Sequence, residues 1–145
     1  MKVSCIMCTY GRFETVQRSM TFWKHQDYQD KELIIFNTAP ILMELDESLS
    51  GYDIKIINRE CEFETGEPYS SLGKIREDAL KFATGDIYIC WDDDDMFLPW
   101  HISQGIRELE KCGLGAWMPA QSYFSQDDGA NFKYAIEFSK YVSPR

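Results

Sequence analysis

The sequence predicts an α/β fold, a mostly parallel sheet with helices on both of its faces. Short apolar runs of strand length alternate along the chain with segments in which apolar residues recur at helical spacing, and this alternation is typical of the class. Right-handed crossovers between parallel strands place the connecting helices on the faces of the sheet. Ligands of such sheets bind beyond the carboxyl ends of the strands, so we expect a site in the turns that follow them.

Each element has its own local signal. Strands are predicted where apolar residues run together, at 2–8, 32–36, 53–58, 86–91 and 116–124. Helices are predicted at about 13–25, more weakly at 41–49, at 71–84, and from Pro99 to about Cys112. Gly85 stands where a left-handed helix cap is wanted. The tail from 125 to 145 is ambiguous, with strand-like alternation at 132–138.

Length, composition and charge narrow the class of protein. With 145 residues and 44% hydrophobic residues, the chain suits one domain with a packed core. The formal charge of −9 argues against direct binding to a nucleic-acid backbone, which needs clustered basic residues. No transmembrane segment is expected, since no apolar run reaches about 18 residues. Five scattered cysteines favour buried thiols in a reducing compartment, and we expect a cytoplasmic protein.

Four consecutive aspartates, Asp92 to Asp95, directly follow a predicted strand. Adjacent carboxylates repel one another, and residues 86–100 contain no Lys or Arg to offset them. Mg²⁺ and Mn²⁺ prefer such oxygen ligands. Asp92 and Asp94 would project to the same side of an extended backbone. Two simpler explanations stay open: a solvated loop, or a cap by Asp95 for the helix near Pro99.

With these pieces in place, the chain resembles the family 2 glycosyltransferases of GT-A fold, a Rossmann-like nucleotide-diphospho-sugar transferase fold. The resemblance runs from residue 3 to about residue 110. It is carried by Cys8-Thr9-Tyr10-Gly11-Arg12, by the strand 32–36, by 74–79 with 83–89, and by the aspartates with Pro99. It implies one domain over 1–145, with a nucleotide-sugar-binding part at 1–112 and a short remnant of the acceptor part at 113–145.

The resemblance also implies roles for the matched residues. Thr9 and Arg12 would line the nucleotide pocket, with Tyr10 beside the base. Lys74 and Arg76 would face the ribose or diphosphate. The family has an acidic residue where this chain has Asn37, which can still offer a donor and an acceptor. The residues implied in nucleotide-sugar binding are Thr9, Tyr10, Arg12, Asn37, Lys74, Arg76, Asp92 and Asp93.

The resemblance implies a metal and a catalytic base as well. Asp94 would coordinate Mn²⁺ or Mg²⁺, with Asp92 and Asp95 assisting. The cation would stabilise a departing diphosphate while a base deprotonates the acceptor hydroxyl. Few residues follow the aspartates; the candidates for that base are Asp127, Asp128 and Glu137, and of these Asp127 and Asp128 are preferred.

The sequence therefore predicts an inverting glycosyltransferase that uses a nucleoside-diphosphate sugar, in particular a UDP-sugar, and an unknown acceptor. The alternatives are a nucleotide-sugar-binding module that lacks the base, a nucleotidyltransferase, and an acidic metal-buffering protein. Each matched residue has a plainer alternative, such as helix capping by Thr9 or solvated helix positions for Arg12 and Arg76. A homo-oligomer also stays open.

Overall fold

The computed structural model describes residues 1–113 and 115–116, together with the backbone of 122–125 and 132–135. The chain divides into two compact units, Met1–Pro99 and Trp100–Arg145. The division that the sequence predicts between 1–112 and 113–145 is one of function, and it stays a prediction.

The first unit is built on a four-stranded sheet of order β3-β2-β1-β4. Its strands are β1 (Val3–Thr9), β2 (Lys31–Asn37), β3 (Ile54–Asn58) and β4 (Ile87–Cys90). All three strand pairs are parallel. In the register, Thr9 pairs with Asn37 and Asn37 pairs with Asn58, so the carboxyl ends of β1, β2 and β3 lie level at one edge.

Two helices cover opposite faces of this sheet, α1 (Phe13–Lys24) and α2 (Leu72–Leu80). Ala79 of α2 packs with Ile6, Ile34 and Phe36 in one buried cluster. Trp23 of α1 interacts with Cys5, which points to the other face because side chains alternate along a strand. The predicted mostly parallel sheet with helices on both faces is confirmed.

A buried carboxylate ties the opposite, amino-terminal edge of the sheet together. Glu32 is fully buried at the start of β2. It accepts hydrogen bonds from Ser4 Oγ at 2.6 Å, Lys55 Nζ at 2.8 Å and Thr84 Oγ1 at 2.9 Å, and Lys2 Nζ lies 3.3 Å away. Burial alone raises the pKa of Glu32, but these hydrogen bonds outweigh it and hold that pKa well below its ordinary value.

The helix predicted at 41–49 is wrong. The segment is irregular apart from a short 3-10 turn at Glu47–Leu49. Side chains bind its backbone instead of the i to i−4 pattern of a helix. Asn58 binds both the N–H and the carbonyl of Met43, each at 2.8 Å, and Asn37 Nδ2 donates to the Ile41 carbonyl at 2.7 Å.

Gly85 also differs from its predicted role. Positive φ angles occur at Gly11, Gly66 and Gly113 among the described glycines, so Gly85 is not a left-handed cap. A Cβ at Gly85 would lie 2.7 Å from Ser4 Oγ and 2.8 Å from both the Lys2 carbonyl oxygen and the Ser4 backbone nitrogen. Glycine is needed there because the chain before β4 passes close against β1.

The second unit contains α3 (His101–Cys112) and the strands β5 (Ser122–Ser125) and β6 (Phe132–Ala135). Gly113, at φ 61°, is the left-handed cap of α3, and the predicted end of this helix is confirmed. β5 and β6 pair antiparallel. Residues 117–121 of the strand predicted at 116–124 lie outside the described residues. None of the described helices is long and apolar enough to cross a membrane.

Candidate functional site

The candidate site lies at the carboxyl edge of the four-stranded sheet. The backbone N–H of Thr38 donates to the Thr9 carbonyl at 3.0 Å, and that of Trp91 donates to the Ile6 carbonyl at 2.9 Å. These contacts extend the pairing beyond β2 and β4. They place the 9–12 turn next to the aspartates, as the sequence predicts.

Asp93 points into the protein. It is fully buried, accepts a hydrogen bond from Thr9 Oγ1 at 2.6 Å, and forms an ion pair with the Arg12 guanidinium. Thr9 does not cap α1, whose N-cap is Arg12 with no capping side chain. The Thr9–Asp93 bond therefore joins the end of β1 directly to the aspartate loop.

Asp92 and Asp94 point outward, and each faces an arginine. Arg76 of α2 donates to Asp92 Oδ1 at 2.9 Å, and Arg12 donates to Asp94 Oδ2 at 2.9 Å. The Asp92 and Asp94 side chains keep 43% and 56% of their exposure, so solvent and ligands can reach both. In the sequence, no basic residue close to the aspartates offsets their negative charge. The fold supplies guanidinium groups from α2 and from the turn before α1.

The backbone of the aspartate loop turns rather than continuing extended. The Asp95 N–H approaches the Asp92 carbonyl at 3.4 Å, with a turn at 93–94. The extended geometry expected for Asp92 and Asp94 is therefore wrong, because the turn aims them at arginines from different elements. Asp95 is exposed, and partial desolvation together with its three acidic neighbours raises its pKa.

Helix α1 holds the loop from the other side, through contacts that sequence reasoning missed. Ser19 is buried, accepts from the Trp91 indole N–H at 3.0 Å, and donates to the Asp92 carbonyl at 3.3 Å. Arg18 reaches the Asp94 carbonyl at 3.4 Å. The sequence signal for Ser19 is a polar residue between the apolar positions of α1. That signal does not reveal which groups Ser19 binds.

Asn37 is fully buried, and its amide is used within the protein. Its Oδ1 accepts from the N–H groups of Gly11 at 3.0 Å and Ala39 at 3.2 Å. Its Nδ2 donates to the Ile41 carbonyl and to Asn58 Oδ1, at 2.7 and 2.8 Å. An amide offers two donors and one carbonyl oxygen, so in this arrangement Asn37 shapes the loops and has no free donor for a base.

The remaining predicted residues lie as follows. Tyr10 is 67% exposed beside the site. Lys74 forms an ion pair with Glu77 at 2.9 Å. Residues two apart on a helix do not share a face, so Lys74 does not point with Arg76 towards the aspartates. Asp127 and Asp128 lie outside the described residues.

Comparison with known proteins identifies the family. The model described as Glycosyl transferase family 2 matches residues 4–142, nearly the whole chain. The chain belongs to glycosyl transferase family 2. Among curated proteins, it is 28% identical over 112 residues to "Uncharacterized glycosyltransferase YwdF" of Bacillus subtilis (strain 168), covering 76% of this chain and 39% of that protein.

Two solved structures share the fold of this family 2 chain. TarS 1–349 of S. aureus in complex with UDP-GlcNAc matches with TM-score 0.59 and 19% identity, over 82% of this chain and 37% of that one. The mannosyltransferase PcManGT of Pyrobaculum calidifontis, in complex with GDP-Man and Mn²⁺, matches with TM-score 0.62 and 16% identity, over 79% and 34%. These likenesses confirm the GT-A fold, and the chain spans less than two fifths of the length of these relatives.

The side chains of the candidate site could hold a divalent cation together with ligands from a substrate. Across the side chains that the structure describes, no three His, Cys, Asp or Glu residues converge on one cation position, so an all-protein cage is not formed. Two outward carboxylates, Asp92 and Asp94, are accessible. Mg²⁺ is commonly held by one or two carboxylates together with substrate phosphates, and the residues fit a cation shared with a diphosphate.

Proposed function

We propose that this chain provides the donor site of an inverting, metal-dependent glycosyltransferase that uses a UDP-sugar. The observation that carries the proposal is the meeting of Asp92 and Asp94 with Arg12 and Arg76 at the carboxyl edge of the sheet. Accessible carboxylates for a cation and guanidinium groups for phosphate oxygens are what a nucleoside diphosphate with a cation requires. The relatives found in complex with UDP-GlcNAc and with GDP-Man and Mn²⁺ support the same ligand class.

The proposed roles divide the site into an outer and an inner set. In the outer set, Asp94 and Asp92 hold the cation with Asp95 beside them, and Tyr10 packs near the base. Arg76 binds the diphosphate, as Arg12 does, and the fork geometry of both guanidinium groups suits phosphate oxygens.

The inner set supports these groups. Thr9, Asp93 and Asn37 are buried and hydrogen-bonded within the protein, which favours positioning the two turns over direct contact with the nucleotide. Lys74 is paired with Glu77 on another face of α2, which favours Arg76 over Lys74 as the basic group at the diphosphate.

The bound cation would supply Lewis-acid stabilisation of the leaving diphosphate. The chain's own contribution is orientation: Arg12 is held by the buried Asp93, and the loop that carries Asp94 is fixed to α1 through Ser19. Inversion requires a base that removes the acceptor proton, for which Asp127 or Asp128 remains the proposal. We also propose a cytoplasmic location, supported by the five free cysteines.

The test is a calorimetric titration of UDP and UDP-sugars, with and without Mn²⁺, against the wild type and Asp94→Asn. Asp30→Asn is a matched control because it neutralises an exposed aspartate directly before β2, at the opposite edge of the sheet. We expect metal-dependent binding that is lost in Asp94→Asn and kept in Asp30→Asn. No binding of any UDP compound by the wild type would refute the uridine assignment.

A donor-binding module without turnover is the second candidate, since Asp127 and Asp128 lie outside the described residues. Donor hydrolysis separates the two functions. Slow release of free sugar from a bound UDP-sugar, absent in Asp94→Asn, indicates an enzyme. Binding with no release of sugar over long incubation indicates the module.

A further inference from the structure

We infer that Arg12 and Arg76 are internal counter-ions of the aspartate loop, which make the binding of cation and diphosphate cooperative. In the structure, both guanidinium groups are paired with the two carboxylates proposed to hold the cation. A cation that arrives alone must separate these pairs, whereas a diphosphate offers the guanidinium groups new partners. The inference rests on the proposed function and adds to it a coupling between the two ligands.

The pairing engages the outward carboxylates by two routes. Arg76 comes from α2 and meets Asp92, while Arg12 comes from the turn after β1 and meets Asp94, each at 2.9 Å. The two guanidinium groups offset half of the charge of the four aspartates.

Arg12 is built to change partners without leaving. One of its terminal nitrogens pairs with the buried Asp93 and the other with the exposed Asp94. A fully buried carboxylate that loses its partner is costly, so the bond to Asp93 persists. The bond to Asp94 is exposed to solvent, and exposed ion pairs are weak. Arg12 can therefore pass one nitrogen from Asp94 to a phosphate oxygen while Asp93 keeps the other.

Arg76 acts through a separate contact, and its exchange does not depend on Asp93. Its side chain is 32% exposed and Asp92 is 43% exposed. When Arg76 turns to a phosphate, Asp92 becomes available to the cation. Since coupling between two ligands is reciprocal, the cation must tighten diphosphate binding by the same factor by which the diphosphate tightens cation binding.

The experiment measures Mn²⁺ binding by water-proton relaxation, with and without UDP, in the wild type, Arg76→Gln and Arg12→Gln. Arg18→Gln is the matched control: it removes the same charge beside the same loop, but Arg18 contacts a carbonyl rather than a carboxylate. Arg76→Gln leaves the buried Asp93 untouched and keeps the test valid if Arg12→Gln folds poorly.

We expect Mn²⁺ alone to bind about 2–5-fold more tightly to Arg76→Gln and Arg12→Gln than to the wild type, as the loss of one exposed competing pair allows. The coupling factor with UDP, expected at roughly 5-fold or more in the wild type, should fall in both variants. Arg18→Gln should change the binding of Mn²⁺ alone less than either.

Equal or weaker binding of Mn²⁺ alone in both arginine variants, or the same tightening in Arg18→Gln, overturns the inference. So does an absence of Mn²⁺ binding in every protein. If UDP fails to bind the wild type at all, the proposed function is wrong instead, and the comparison of Mn²⁺ alone still decides whether the guanidinium groups compete for the loop.

Discussion

Replacing Glu32 with Gln tests the buried network at the amino-terminal edge of the sheet. Gln keeps the shape and an oxygen that can accept from Ser4 and Thr84, but it loses the charge and presents an N–H₂ group towards Lys55. A hydrogen bond to a charged group contributes about 1.5–3 kcal/mol. Losing the bond from Lys55 and weakening the others should cost about 2–4 kcal/mol.

The expected cost is lower than that of breaking a fully buried ion pair because the two lysines are partly exposed. Lys2 and Lys55 keep 28% and 38% of their side-chain exposure, so both ammonium groups can turn to water when the carboxylate is gone. Breaking a pair that stays buried costs about 3–5 kcal/mol. Because domains have a total stability of about 5–15 kcal/mol, the expected loss is a large share, corresponding to a melting temperature lower by roughly 5–15 °C.

The assay is urea unfolding followed by tryptophan fluorescence, with exposed Glu60→Gln as the control. Because the folded pKa of Glu32 is lowered, its stabilisation is fully present above the unfolded pKa of 4.5 and is lost as pH falls below it. The difference between the wild type and Glu32→Gln should therefore shrink below about pH 4.5. The reasoning is refuted if Glu32→Gln matches Glu60→Gln at pH 7, or if the difference stays constant on acidification.

Three further comparisons separate structural from ligand-facing positions by thermal or urea unfolding. Gly85→Ala should cost about 1–3 kcal/mol, since its Cβ would meet β1 within 2.8 Å, whereas Gly51→Ala, with nothing within 4 Å, should be nearly neutral; equal effects would contradict this. Asp93→Asn should cost about 1.5–3 kcal/mol because Asp93 is buried with a charged partner. Asp94→Asn should change stability by less than about 1 kcal/mol, and the reverse order would exchange the roles of the two aspartates. Asn37→Ala should cost about 2–4 kcal/mol for its buried hydrogen bonds, and an unchanged unfolding midpoint would contradict its role in shaping the loops.

The sheet could be predicted from sequence because its signals are local. Apolar runs indicate β1 to β4, and their alternation with helices indicates that the strands are parallel. The 41–49 segment could not be predicted, since the side chains that hold it belong to Asn37 and Asn58, at the ends of β2 and β3, and no local pattern reveals these contacts. The role predicted for Gly85 was wrong for a related reason: the atoms that require glycine there belong to Lys2 and Ser4, some 80 residues earlier.

The candidate site divides in the same way. Its location and its carboxylates follow from the position of Asp92 to Asp95 after an apolar strand. Which aspartate faces inward does not follow, because four identical neighbours carry no sequence signal that tells them apart. Only the tertiary partners, Thr9 and Arg12 for Asp93 and Arg76 for Asp92, assign each its direction.

Because those four residues are all aspartates, the residue that precedes them, Trp91, has a particular role. If the loop slipped by one position, an aspartate would still fill the inward place and others would still face out, so the run itself offers no penalty against misalignment. Trp91 distinguishes between these alignments. It is fully buried, stacks on Phe97 with ring centroids 3.8 Å apart, and donates its indole N–H to Ser19. A bulky indole fits one place only, and through it the core of the protein determines which carboxylates the solvent meets.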